Sequence, residues 1–89
     1  MIQTEATIIN KLGLHARAAA KLVSTAAAFS SQVRVGYPDR MVDGKSIMAV
    51  MMLAASKGTT IRIHADGQDA GDAVNALLEL IARRFDEEE

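Results

Sequence analysis

The residues best suited to chemistry lie together in the run from Gly13 to Arg17. The hydropathy pattern places this run where a loop following a strand becomes the first turn of a helix. Backbone N–H groups at a helix start have no acceptor within the helix and attract anions, so those of Ala16, Arg17 and Ala18 could hold phosphoryl oxygens. Arg17 adds a fixed positive charge with forked donors, which suits a phosphate. The run therefore predicts a phosphoryl-binding loop.

His15 is the candidate nucleophile of this loop. A neutral imidazole at the positive end of a helix keeps one ring nitrogen available for attack, and phosphohistidine would be the product. Phosphoryl transfer depends mainly on positioning and on charge stabilisation, so a donor enzyme could supply most of the machinery. The alternative is an exposed loop histidine without a role, and the spacing alone does not decide between the two. The other histidine, His64, alternates outward on a predicted strand and is expected to be a solvated sheet residue.

The bulk properties of the 89-residue chain indicate one globular domain over residues 1–89. The chain contains no cysteine, which is consistent with a reducing cytoplasm, and two histidines make a weak case for a metal site. A net charge of −1 with 3% aromatic residues argues against nucleic-acid binding. The N-terminus alternates polar and apolar residues, unlike a signal peptide, and no stretch approaches transmembrane length, so no membrane insertion is expected.

The periodicity of the apolar residues predicts the elements that must position the loop. Alternation with a period of two indicates strands, and apolar residues at helical spacing indicate helices. Turn chemistry at Pro38-Asp39 predicts a hairpin between the second and third strands. The predicted bounds are a strand to Ile9, a helix from Ala16 to Ala28, hairpin strands around Val33–Val35 and Met41–Val42, a helix from Ile47 to Ser56, a strand from Thr59 to Ala65, and a helix capped by Asp69.

The predicted element order is βαββαβα, and a sheet with one polar face requires its helices on the other face. The sequence therefore predicts an α+β open-faced β-sandwich, in which a four-stranded antiparallel sheet carries three helices on one face. The acidic run at residues 86–89 follows the last helix. Negative charge is unfavourable at a helix C-terminus, so this run is expected to fray.

The second predicted helix is apolar nearly all round, although a helix on a one-layer sheet can bury only one side. Some of its side chains, with Met48 and Met51 foremost, are therefore candidates for a surface that docks several partners. The alternative is that the methionines fill gaps in the core. Ser46 is expected to cap this helix.

The run from Gly13 to Arg17, followed by Gly44-Lys45-Ser46-Ile47-Met48 and then by Lys57-Gly58, resembles the HPr family of histidine-containing phosphocarriers. Members belong to the phosphoenolpyruvate-dependent sugar phosphotransferase system. The resemblance covers nearly the whole chain.

It implies that His15 accepts a phosphoryl group from enzyme I, itself charged by phosphoenolpyruvate, and donates it to enzyme II components in sugar uptake or its regulation. It implies a carrier that does not turn over alone, acts as a monomer and needs no cofactor. It also implies that Arg17 assists, that Ser46 is a regulatory phosphorylation site for a serine kinase/phosphorylase, and that Ile47, Met48 and Met51 dock partners.

One residue departs from the family pattern, because Ala18 stands where the family usually has proline. Proline suits a first helical turn because its backbone angle is fixed and no N–H is needed there, so alanine affects the rate of transfer more than its existence. Three alternatives remain open: the nitrogen-regulatory branch of the same system, a regulatory domain of the same fold that docks without carrying phosphate, and a small-ligand sensor on a ferredoxin-like sheet.

Overall fold

The alternating apolar segments form the strands of one antiparallel sheet with the order β1-β4-β2-β3. A computed structural model describes all 89 residues. The elements are β1 (Ile2–Thr7), α1 (Ala16–Ala27), β2 (Gln32–Tyr37), β3 (Arg40–Asp43), α2 (Ile47–Met51), β4 (Thr60–Asp66), α3 (Ala70–Ala82) and a single 3-10 turn (Arg84–Asp86). The predicted α+β class and element order are confirmed.

The core lies between one face of the sheet and the helices. Val33 and Val35 of β2 and Ile61 and Ile63 of β4 are fully buried, and the residues between them are exposed or half-buried. Each of these side chains contributes roughly 1.5–3 kcal/mol through removal of its apolar surface from water. The helix side of the core comes from the buried faces of α1 and α3, namely Ala18, Ala19, Leu22, Ala26, Ala70, Ala73, Val74, Leu77, Leu80 and Ile81.

Helix α2 ends at Met51, five residues before the predicted end at Ser56. In the turn that follows, each N–H donates to the carbonyl oxygen three residues earlier instead of four. These bonds run from Leu53 N to Val50 O at 3.2 Å and from Ala54 N to Met51 O at 3.1 Å. Ala54 then adopts a left-handed φ of 51°, which cannot continue a right-handed helix. The predicted end lies further on because the next residue with the usual helix-stopping chemistry is Gly58, while the chain reverses at an alanine.

Asp69 stands at the N-cap position of α3, but its side chain makes no capping hydrogen bond. Its carboxylate accepts hydrogen bonds from the backbone N–H groups of Ser30 and Ser31, both at 2.9 Å, and from their hydroxyls. These bonds lower the pKa of Asp69 from 3.8 to about 2, the Ser31 hydroxyl having the largest effect. The prediction of a side-chain cap is therefore wrong, because the carboxylate of Asp69 instead ties the segment between α1 and β2 to the start of α3.

After α3 the chain turns back towards the start of α1. Arg84, Phe85 and Asp86 have left-handed φ values of 58°, 54° and 64°, and Phe85 is fully buried. Lys21 of α1 donates from Nζ to the carbonyl oxygen of Phe85 at 2.9 Å. Burial of the phenylalanine contributes roughly 1.5–3 kcal/mol and offsets part of the roughly 1–2 kcal/mol that each of the three left-handed residues costs.

The turn carries residues 86–89 away from the C-terminal end of α3. The fraying prediction rests on negative charge at the C-terminal end of the last helix, and α3 ends at Ala82, before the acidic run. Instead, Lys11 donates its backbone N–H to the carbonyl of Glu89, and its Nζ lies 3.3 Å from a carboxylate oxygen of the same residue. The helix-dipole argument for fraying therefore does not apply to this segment. No helix of the chain has the length and apolar character needed to cross a membrane.

Candidate functional site

The loop before α1 is held by hydrogen bonds to buried groups. The fully buried Asn10 donates from Nδ2 to the carbonyl oxygen of Gly13 at 2.8 Å. The backbone N–H of Leu14 donates to the carbonyl oxygen of Ala55 at 2.8 Å. Gly13 has a φ of 66°, and a Cβ there would lie 2.4 Å from the Ala55 oxygen, so glycine is required at this crossing. The loop is thus fixed on both sides of Gly13.

His15 occupies the N-cap position of α1 with extended backbone angles of −70° and 176°. Its carbonyl oxygen accepts from the N–H of Ala19 at 2.8 Å, but its side chain makes no capping bond. The ring instead lines the cleft at the start of α1, and the side chain is 30% exposed there.

The three backbone N–H groups that follow His15 donate no hydrogen bond to any backbone or side-chain acceptor. Ala16 and Arg17 are exposed and line the same cleft as His15. Ala18 is fully buried, and its methyl group belongs to the core. Of the predicted phosphate-binding residues, Ala16 and Arg17 line the cleft, while the methyl group of Ala18 packs in the core.

Arg17 is exposed and forms no ion pair within 4.0 Å. Its guanidinium is therefore not committed to a partner in the protein. An exposed, unpaired cation in the same cleft as the half-buried imidazole is available to an incoming anionic group.

A carboxylate that the sequence analysis did not single out also lies in the cleft. Oε2 of Glu87 forms a short hydrogen bond with Nε2 of His15, and Oε1 accepts from Nδ2 of Asn10 at 3.0 Å. Burial raises the pKa of Glu87, but the hydrogen bonds from His15 and Asn10 and the charges of His15 and Arg17 outweigh it, so the pKa lies below its usual value. No local sequence signal marks Glu87, because its position depends on the left-handed turn at residues 84–86 and on a separation of 72 residues.

The second predicted motif forms the start of α2. Ser46 is its N-cap, with Oγ accepting from the N–H of Ala49 at 3.4 Å. Val50 is the one buried residue of α2. Ile47, Met48 and Met51 are 39%, 65% and 37% exposed. These side chains lie at the surface rather than filling gaps in the core.

Two further large apolar residues are exposed: Met52, which belongs to the predicted second helix, and Leu12, which the sequence analysis did not single out. Met52 is 62% exposed just beyond α2, and Leu12 is 66% exposed in the loop before His15. Leu12 lies in a loop, where periodicity assigns no face, and Met52 follows the observed end of α2. The bond between Leu14 and Ala55 joins these two segments of the chain.

His64 lies far from this arrangement in the sheet. It belongs to β4 and pairs in register with Gln3 of β1 and Arg34 of β2. It is half-buried and its Nε2 has no hydrogen-bond partner, so it is less solvated than the sequence predicts. No helix start lies beside it, and it has none of the surroundings of His15.

Comparison with known proteins agrees with the geometry. A family model described as "PTS HPr component phosphorylation site" matches residues 2–83. The phosphocarrier protein HPr of Pseudomonas aeruginosa is 64% identical over 86 residues, which are 96% of each chain. That of Cupriavidus necator is 57% identical over 89 residues and all of both chains. The crystal structure of HPr-C-His from Thermoanaerobacter tengcongensis superposes with a TM-score of 0.95, at 44% identity over the whole of both chains.

A partly exposed histidine at a helix start on an open-faced sandwich, together with these relatives, defines the class as a phosphocarrier protein of the phosphotransferase system rather than an enzyme. The chain belongs to the HPr family. Its resemblance to that family, seen in the sequence motifs, is confirmed.

Proposed function

We propose that His15 accepts a phosphoryl group from enzyme I and transfers it to enzyme II components. The observation that carries this proposal is the placement of a partly exposed imidazole at the N-cap of α1, beside the uncommitted guanidinium of Arg17. The unused N–H groups of Ala16 and Arg17 add partial positive charge where the phosphoryl oxygens would lie. The N–H of Ala18 is also without an acceptor and belongs to the same proposed phosphate-binding backbone, while its methyl group packs in the core.

Transfer in both directions requires that the phosphorylated ring is not held too tightly. An enclosed site with several fixed cations would stabilise phosphohistidine so far that the next transfer would be slow. Here the ring is partly open to water and Arg17 is exposed, which supports a carrier that is charged by one partner and discharged by another.

The experiment incubates the protein with enzyme I and labelled phosphoenolpyruvate and follows the label on the carrier. We expect a modified protein that is labile in acid and stable in base. His15→Ala should abolish the label, and His64→Ala is the matched control because it removes an imidazole elsewhere in the same fold. Label that persists in His15→Ala would refute the assignment.

The partners are proposed to dock on the exposed apolar side chains around α2, with Ile47, Met48 and Met51 at the centre. Leu12 and Met52 extend the candidate set, since both are large, apolar and exposed. Methionine adapts its shape to different surfaces, which suits a carrier that meets enzyme I and the enzyme II components in turn.

Ser46 is proposed as a regulatory phosphorylation site for a serine kinase/phosphorylase. Its hydroxyl caps the helix that carries the docking residues, so a phosphate there would change the charge of that surface. We further propose that residues 1–89 act as one monomeric domain in the cytoplasm, in sugar uptake or its regulation. The nitrogen-regulatory branch is the alternative setting for the same chemistry.

A further inference from the structure

We propose that Glu87 is a positioning residue for phosphoryl transfer, because its carboxylate holds the proton of His15 on Nε2 and leaves Nδ1 as the attacking nitrogen. This inference rests on the proposed role of His15 as the acceptor. Glu87 lies outside the residues 2–83 that the family model matches, so the family match alone does not point to it.

The carboxylate of Glu87 is itself held in place by buried structure. Its Oε1 accepts from Nδ2 of Asn10, whose side chain is fully buried and whose same nitrogen also donates to the carbonyl oxygen of Gly13. A fully buried amide cannot change its orientation without losing both bonds. The side chain of Glu87 is only 16% exposed as a result.

The chain on either side of Glu87 is also anchored. Before it, Phe85 is buried and its carbonyl oxygen accepts from Nζ of Lys21. After it, Glu89 bonds to the backbone N–H of Lys11. The carboxylate thus has a fixed place beside the ring, unlike an acidic side chain on a free tail.

The protonation of the partners follows from this geometry. The hydrogen bonds from His15 and Asn10 keep the pKa of Glu87 below its usual value despite burial, so the carboxylate is ionised near neutral pH and can only accept. Nε2 must then carry the proton of the shared hydrogen bond. A neutral imidazole has one N–H, so the lone pair is on Nδ1.

In the transfer step the lone pair of Nδ1 forms the bond to phosphorus, and the bond between phosphorus and the donor breaks with its electron pair remaining on the donor. The proton on Nε2 stays where it is, and the ring takes on positive charge that the carboxylate of Glu87 balances. No base has to remove a proton. In the reverse transfer the electron pair returns to Nδ1 and the ring becomes neutral again.

The first test measures the tautomer directly by ¹⁵N resonances of the His15 ring at about pH 8, where a histidine is ordinarily neutral. We expect the proton on Nε2 in the unaltered protein and a loss of this preference in Glu87→Gln. Glu88→Gln is the matched control, since it removes one charge from the adjacent exposed residue, which makes no hydrogen bond. Equal tautomer populations in Glu87→Gln and the unaltered protein would overturn the proposal.

The second test measures the rate of charging by enzyme I and phosphoenolpyruvate. Glu87→Gln should be charged about tenfold more slowly, as expected for loss of one charge-assisted hydrogen bond, with Glu88→Gln near the unaltered rate. Faster charging of Glu87→Gln would show that the carboxylate obstructs the ring and would overturn the positioning role. If the unaltered protein were not charged at all, the proposed function would fail, whereas normal charging with no difference between the variants would sink only the role of Glu87.

Discussion

The backbone N–H of Leu14 donates a 2.8 Å hydrogen bond to the carbonyl oxygen of Ala55. This bond ties the loop that presents His15 to the segment that follows α2. The segment with the proposed acceptor and the segment after the proposed docking helix are therefore joined by a direct backbone contact.

Replacing Gly13 with alanine tests this crossing. The new Cβ would lie 2.4 Å from the Ala55 oxygen at a φ of 66°, so we expect a loss of about 2–4 kcal/mol in the free energy of unfolding, measured with urea. Gly58→Ala is the control, because its φ of 90° is also left-handed but no atom lies within 4 Å of the added Cβ. Equal losses in the two variants would mean that conformation alone, and not the close approach, requires glycine at position 13.

Removing the charge of Arg17 should affect transfer and not folding. We expect Arg17→Ala to be charged about tenfold more slowly, because a cation is lost where phosphoryl charge develops. The free energy of unfolding should change by less than about 0.5 kcal/mol, since the side chain is exposed and unpaired. Arg40→Ala, at an exposed position of β3, is the control for loss of one positive charge. A charging rate unchanged from that of Arg40→Ala would remove Arg17 from the mechanism.

Met48→Glu should weaken binding to enzyme I by at least about tenfold, because an exposed apolar anchor is replaced by a charge that stays hydrated. Its thermal stability should hardly change, as Met48 is 65% exposed. Val50→Ala should show the opposite pattern, with a loss of about 1–3 kcal/mol in stability from a fully buried site of the same helix. A stability loss in Met48→Glu comparable with that of Val50→Ala would show that Met48 contributes to the core and not to a docking surface.

Ser46→Asp mimics the proposed phosphorylation. A negative charge at the N-cap is compatible with the helix dipole, so we expect the fold to remain intact, while the charge next to the docking residues lowers affinity for enzyme I and hence charging of His15. Ser46→Ala separates the two effects, because it removes the cap at a cost of about 0.5–2 kcal/mol without adding charge. Unaltered affinity in Ser46→Asp would leave the serine as a helix cap only.

Asp69 should make stability depend on pH in acid. Hydrogen bonds from Ser31 and Ser30 lower its pKa to about 2 in the folded protein, against an ordinary value of 3.8. The ionised form is thus favoured by folding, so the stabilisation is fully present above pH 3.8 and disappears as the pH falls through about 2. We expect Asp69→Asn to be less stable than the unaltered protein at neutral pH, with the difference shrinking between these two values. Asp72→Asn, in the first turn of the same helix, is the control, and a difference independent of pH would contradict the linkage.

Much of the fold follows from local pattern. The alternation of Val33 and Val35 with polar neighbours places them on the buried face, and the capping chemistry of Ser46 places the start of α2 correctly. The end of α2 and the side chain of Asp69 could not be predicted in this way. Ala54 takes a left-handed angle that alanine does not favour, and the partners of Asp69 are 38 and 39 residues distant.

The candidate site likewise contains residues that local sequence predicts and one residue that it does not. His15, Ala16 and Arg17 are neighbours in sequence, so a helix start alone explains why they are together. Glu87 joins them only because three consecutive residues with side chains adopt left-handed angles around a buried Phe85. Such a turn has low local propensity and is stabilised by tertiary burial, which single-sequence patterns do not record.

The hydrogen bond between His15 and Glu87 spans 72 residues and has a consequence for synthesis on the ribosome. A chain emerges from its N-terminal end, so His15, the loop and α1 are exposed long before residue 87 is available to them. A nascent or prematurely terminated chain therefore displays the imidazole without its carboxylate partner. Charge-assisted pairing at the ring is a property that only a chain extending through residue 87 can acquire.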